Sequence, residues 1–162
     1  MTMMLNDIVV DTNVFVHASN PNVPFHATSL ALLRVLGDAT VVLCVDEGFD
    51  IVEAQNRSLI AGEYYGNLIS GMVGFAIIAT LASTGRLKQV PKRVPQAVAQ
   101  KIRRLVPRNP RDRTFLRVSF NSHERILVSH DFDDFGPGVR TALKASVSVA
   151  VITAEDVIVL LS

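Results

Sequence analysis

Four carboxylates stand where an α/β fold would gather them at one edge of a sheet. Asp11 ends the β-branched run Ile8-Val9-Val10, and Asp131 closes the run Ile126-Leu127-Val128-Ser129-His130. Both apolar runs are too short for helices and have the composition of buried strands. In open parallel sheets, ligands bind beyond the carboxyl ends of the strands, so both acids point into the expected cleft. Asp112 is expected to begin a helix that runs back antiparallel to the next strand, which brings its N-terminus to the same edge. Glu53 is expected about one turn inside a helix after the second strand, its side chain leaning back toward that edge. Like charges brought this close raise one another's pKa and weaken the fold unless a cation joins them. Oxygen donors of this kind suit Mg²⁺ or Mn²⁺. One or two such ions can activate a water and clamp a phosphate, which makes phosphodiester hydrolysis the expected chemistry.

Bringing these acids together requires strands alternating with helices, and the chain reads that way. Asn20 to Pro24 is a turn, and His26 to Leu36 a helix with Gly37 as its C-cap. Val41 to Val45 is the second strand, ending on Asp46, and the chain turns helical from Gly48. The uncharged segment from Gly66 to Ala82 reads as one helix, and Arg86 to Pro95 as an exposed connection. A basic helix follows from Gln96 to Leu105, and another begins at Asp112 after Pro107 and Pro110. Ile126 to Val128 is the third strand, Gly136-Pro137-Gly138 a turn, Val139 to Leu143 a short helical piece, and Val147 to Ile152 the fourth strand. Thr153 caps a final helix, with Asp156 reciprocating three residues on. This alternation implies a parallel sheet covered by helices on both faces.

With 162 residues the chain reads as one domain over 1–162, with a basic connection and helix at about 85–110. The single Cys44 sits in an apolar run, so it reads as a packed thiol in a reducing compartment. The opening Met1 to Asp7 lacks the pattern of a secretory signal, and the cytoplasm is the expected location. Tyr64 to Gly85 carries no charge, but its glycines, serines, threonines and asparagine favour a buried or dimer-forming helix over a membrane span. A homodimer is therefore expected, and no membrane partner. The formal net charge of +1 conceals a strong asymmetry: Arg86 to Arg117 holds eleven of the sixteen Lys and Arg residues, with Asp112 its only acid. Such a block marks contact with a polyanion, and the scarcity of aromatics within it points to phosphates rather than stacked bases. Arg103, Arg104 and Arg108 are its candidate substrate-binding residues.

Taken singly, each acid has an ordinary structural explanation. Asp112 suits an N-cap, Asp131 and Asp134 suit turns, and Glu53 suits a solvated helix face. Their shared placement relative to the strands carries the functional reading. Four stretches then resemble the PIN-domain ribonuclease family, in particular the toxin components of toxin–antitoxin pairs. They are Val9-Val10-Asp11-Thr12-Asn13-Val14-Phe15, Ile51-Val52-Glu53, Asp112-Arg113-Thr114-Phe115-Leu116, and Ile126 through Phe135 with its Ser129-His130-Asp131-Phe132-Asp133-Asp134 core. The resemblance implies a three-layer α/β/α sandwich and Mg²⁺- or Mn²⁺-dependent cleavage of single-stranded RNA. It implies metal ligands Asp11, Glu53, Asp112 and Asp131, with Asp134 as an auxiliary acid and Thr12, Asn13 and Ser129 beside them. An antitoxin protein is the implied partner besides RNA. The surplus length near Gly85 to Pro110 departs from the compact toxins, as an RNA guide or a seat for an acidic partner segment.

Three rival readings remain open at this level. A structure-specific DNA nuclease could use the same acids, and a non-catalytic RNA- or protein-binding module could keep the fold. A phosphatase with an aspartyl nucleophile fits less well, because Asn13 stands where a second aspartate is needed.

Overall fold

Four apolar, largely β-branched runs and the more polar Leu87–Val90 form five parallel strands among the described residues: β1 (Asp7–Val10), β2 (Val42–Asp46), β3 (Leu87–Val90), β4 (Ile126–Val128) and β5 (Ala150–Ile152). This is the arrangement in a computed structural model, which describes residues 5–161. Met1 to Met4, the first part of the stretch weighed as a secretory signal, and Ser162 lie outside the described residues. The strand order is β3-β2-β1-β4-β5. Central β1 pairs Ile8 with Leu43 of β2 and Val10 with Val128 of β4. From β1 the chain winds outward to β3 on one side, then returns to build β4 and β5 on the other. That reversal opens a crevice at the carboxyl ends of β1 and β4.

Eight helices flank the sheet among the described residues: α1 (Thr12–Ala18), α2 (His26–Asp38), α3 (Leu59–Asn67), α4 (Val73–Ser83), α5 (Gln96–Leu105), α6 (Pro110–Asn121), α7 (Pro137–Val147) and α8 (Ala154–Leu161). Helices α1, α2, α4 and α8 pack together; α5, α6 and α7 form a second group, with α6 lying across β1, β2 and β4. Right-handed crossovers put these groups on opposite faces, which makes the fold an α/β/α sandwich in three layers. Helix α3 touches both α1 and α6 and so spans the edge where the strands end. Val9, Val10, Leu43, Val45 and Leu127 are fully buried at the centre. Each contributes roughly 1.5–3 kcal/mol of transfer free energy. Cys44 is buried in β2, and burial, with Asp7 nearby, pushes its thiol up to about 12, so it is an inert core residue.

Several elements depart from the sequence reading, each for a local reason. Thr12 to Ala18 is helical, because β1 stops at Val10 and the apolar Val14, Phe15 and Ala18 return to one buried face. Helix α2 runs through Gly37 to Asp38, because the Arg86 guanidinium donates to the carbonyls of Leu36 and Gly37 at 2.8 and 3.1 Å, and also to Ala39. This satisfies the helix end without a glycine cap. The supposed connection after Arg86 contains β3, an edge strand whose exposed Lys88 and Gln89 disguise it. The uncharged segment is two helices broken at Leu68–Met72, where Gly71 takes a φ of +99° that other residues rarely adopt. No helix among the described residues is long and apolar enough to cross a membrane. Helix α6 starts at Pro110, capped by the Asn109 side chain accepting from the Arg111 N–H, so Asp112 is its third residue. Pro137 likewise opens α7, which runs to Val147 and shortens β5. The Thr153–Asp156 capping box forms as expected, with reciprocal bonds of 3.0 and 3.2 Å.

Candidate metal centre

Strand β1 delivers Asp11 to the crevice. Its backbone N–H donates to Val128 O at 2.8 Å, continuing the β1–β4 ladder one residue past the strand. Its buried carboxylate accepts the Ser129 hydroxyl at 2.7 Å and the Asn13 side-chain amide at 3.3 Å on the same oxygen, Oδ2. Asn13 in turn accepts the His130 N–H, and Ser129 Oγ accepts the Asp131 N–H at 3.1 Å. The residues after β1 and after β4 are thereby cross-linked through Ser129 and Asn13. Asp131 then turns the chain by accepting the N–H groups of Asp133 and Asp134 on Oδ1, at 3.0 and 3.1 Å.

Carboxylate oxygens of Asp112, Asp131 and Asp134 lie within 4.8 Å of one another. Burial pushes the Asp112 carboxyl up to about 8, helped by its hydrogen bond with Asp134 and by the charges of Asp11, Asp131 and Asp134. Asp11 is raised to about 6, again by burial first; the Ser129 hydroxyl opposes the rise and the charge of Asp131 adds to it. Asp112 Oδ2 and the Thr12 hydroxyl are both buried without a hydrogen-bond partner, and both residues line the same depression of about 340 Å³. Buried polar atoms normally find partners, so two orphans facing one acidic space mark a place for a ligand. Carboxylate oxygens at this spacing suit a hard divalent cation, and these residues fit Mg²⁺ or Mn²⁺. Thr12, Asn13 and Ser129 accordingly sit among the acids, Asn13 and Ser129 as orienting groups for Asp11.

Glu53 is not brought to this depression. The chain from Gly48 to Val52 is irregular, and Glu53 opens a single exposed 3₁₀ turn (Glu53–Gln55) instead of lying inside a helix. The glutamate that lines the depression is Glu63 of α3, paired with the Arg111 guanidinium at 2.8 Å. Asp46, at the end of β2, aims α3: it accepts the Leu59 and Ile60 N–H groups at 2.8 Å each and the Ser58 hydroxyl. Ser58 itself caps Ala61 N–H at 3.1 Å. The signal for this in the sequence is Ser58 directly before the apolar Leu59-Ile60-Ala61, an N-cap placement that starts a helix well after the expected onset at Gly48.

No protein-family model matches this chain, and no curated protein matches it.

Behind the acids, Arg140 of α7 donates to four backbone carbonyls: Phe135 at 2.6 Å, Ser129 and Asp131 at 3.1 Å each, and Val151 at 3.2 Å. It ties the Asp131 turn to the end of β5, a role that nothing local in the sequence signals. His130 is buried. Its Nε2 accepts the Ala154 N–H at 3.1 Å, so Nδ1 carries the proton and donates to His17 Nδ1 at 3.2 Å. Burial lowers both imidazoles, His130 to about 4, and the pair is a neutral brace. The basic block divides: Arg86 and Arg113 hold backbone carbonyls and Arg111 pairs with Glu63. Arg103, Arg104 and Arg108 are exposed, at the end of α5 and in the link to Asn109, which lines the depression.

Proposed function

We propose that this chain is a divalent-metal-dependent endoribonuclease that cleaves single-stranded RNA at the carboxyl edge of β1 and β4. The observation that carries the reading is the convergence of Asp112, Asp131 and Asp134 within 4.8 Å, with one buried Asp112 oxygen left unpartnered. Asp11, Asp112, Asp131 and Asp134 would hold the ion. When bound, Mg²⁺ or Mn²⁺ supplies positive charge for a phosphate and lowers the pKa of a water. Ser129 and Asn13 keep the Asp11 carboxylate oriented, and Arg140 holds the Asp131 turn in place. Arg103, Arg104 and Arg108, exposed on the approach to Asn109, would contact the RNA backbone through its phosphates. The resemblance to PIN-domain toxins supports RNA as the substrate.

The test compares three labelled substrates with Mn²⁺: a single-stranded RNA, the DNA of the same sequence, and a branched DNA. Cleavage of the RNA by wild type, and its loss in Asp11→Asn and Asp131→Asn purified identically, is the expected result. Preferential cutting of the branched DNA would move the reading to a structure-specific DNA nuclease. RNA cutting that survives both substitutions would remove this site from consideration.

A further inference from the structure

Beside the acidic depression, helices α3 and α6 leave a second space that the acids do not use. Its walls are Leu59, Ile60, Pro110, Thr114 and Phe115, and it encloses about 160 Å³. Glu63 and Arg111 line both this cleft and the depression, so their ion pair forms the lip between the two. Ligand sites are concave and mostly apolar with a few polar groups, and this cleft has that make-up at the rim of the acidic depression. Leu59 is 52% exposed at the mouth although it is the first residue of α3, where a polar side chain would serve the helix as well. The Arg111 side chain is 73% exposed, a flat cation held by one carboxylate.

We infer that this cleft is the subsite for the nucleobase next to the phosphate held at the acids. The inference rests on the nuclease reading for what occupies the depression. The continuity of the two spaces selects the ligand: a nucleotide carries a phosphate for one and an uncharged flat ring for the other, joined through a single sugar. The cleft is sized for one ring system. Its apolar walls take the faces of the ring, the Arg111 guanidinium stacks at its open side, and Glu63 offers a carboxylate to an exocyclic amino group. Glu63 and Arg111 act here as positioning residues for substrate.

The test uses the ¹⁵N-labelled full chain in Mg²⁺, titrated separately with AMP, GMP, UMP and ribose 5-phosphate. At least one nucleotide is expected to move the amide signals of Leu59, Ile60 and Thr114, while ribose 5-phosphate moves only those around Asp11 and Asp131. Leu59→Ser keeps a residue compatible with a helix start and should weaken that nucleotide by about five-fold, because less apolar surface is buried, while leaving ribose 5-phosphate binding unchanged. Silence of the cleft amides with all three nucleotides, or the same response to ribose 5-phosphate, would overturn the inference. Because the readout is binding, it separates from the nuclease test. A responsive cleft in a protein that cuts no RNA leaves the base subsite standing, and a silent cleft in an active nuclease removes it.

Discussion

At the scale of single residues, the site is defined by what its acids cost in the absence of a cation. Asp112 is buried with an unpartnered oxygen and a carboxyl pushed up to about 8, against about 6 for Asp11. A carboxyl raised in the folded state contributes stability that is fully present below its unfolded value near 4. That contribution is lost as pH rises through the folded value. In EDTA the melting temperature of wild type should therefore fall between about pH 4 and pH 8.5, through both acids up to about pH 6 and through Asp112 alone above it. Excess Mn²⁺ should oppose the fall, since the ion binds the deprotonated acids of the folded state. Asp112→Asn should raise the metal-free melting temperature at pH 8.5 by about 3–6 °C, for a gain of about 1–2 kcal/mol. It should also abolish most of the response to Mn²⁺. At pH 3.5, below the unfolded value, the wild-type acid is mostly neutral in both states and the gain should nearly vanish. A gain of equal size at both pH values would show that charge is not its cause.

At the scale of elements, the site depends on two side chains that hold backbone rather than substrate. Asp46, at the end of β2, accepts from Ser58, Leu59 and Ile60 and so fixes where α3 starts and where Glu63 points. Asp46→Ala should cost about 2–4 kcal/mol in urea unfolding, from a missing cap, a weaker helix-dipole interaction and unmet N–H groups. A cost below about 0.5 kcal/mol, the range of ordinary surface changes, would mean that α3 is anchored otherwise. Arg140 gathers four carbonyls with one planar group, and a lysine cannot reproduce that fork. Arg140→Lys should destabilise by about 2 kcal/mol. It should also weaken Mn²⁺ binding by about ten-fold, as expected when support behind a metal ligand is removed; unchanged affinity in a calorimetric titration would count against this link. Neither residue stands out in the sequence, because their partners are carbonyls and amides that every residue possesses.

At the scale of the whole chain, charge and topology act together. The basic block is not one surface: Arg86 and Arg113 hold backbone carbonyls and Arg111 pairs with Glu63, while Arg103, Arg104 and Arg108 are exposed on the approach to Asn109. Charge reversal at Arg103 and Arg104 should weaken RNA binding. It should also flatten the dependence of log affinity on log salt by about 0.7 for each phosphate no longer neutralised, read by fluorescence anisotropy in several salt concentrations. An unchanged slope would place the RNA path elsewhere. Four of the five strands, the basic helix and the final capping box could be read from the chain, because buried β-branched runs and amphipathic spacing are local signals. Strand β3 could not, because an edge strand with exposed Lys88 and Gln89 has no apolar alternation to show. The helix expected at Gly48 was displaced for a similar reason: the onset of α3 is set by Asp46 across an irregular loop.

The order of residues is enough to show that acids follow the first and third predicted strands and that another lies near the start of a helix. These placements follow from the periods of strand and helix and from the direction of crossover. Packing of the layers was needed to establish which glutamate lines the depression, that Asp134 joins Asp112 and Asp131, and that His17 meets His130 across 113 residues of chain. Local pattern governs where a side chain leaves the backbone, while approaches between distant segments arise only when the layers come together. The chemistry depends on both, because a metal site needs carboxylates that many positions could supply and distances that one packing creates.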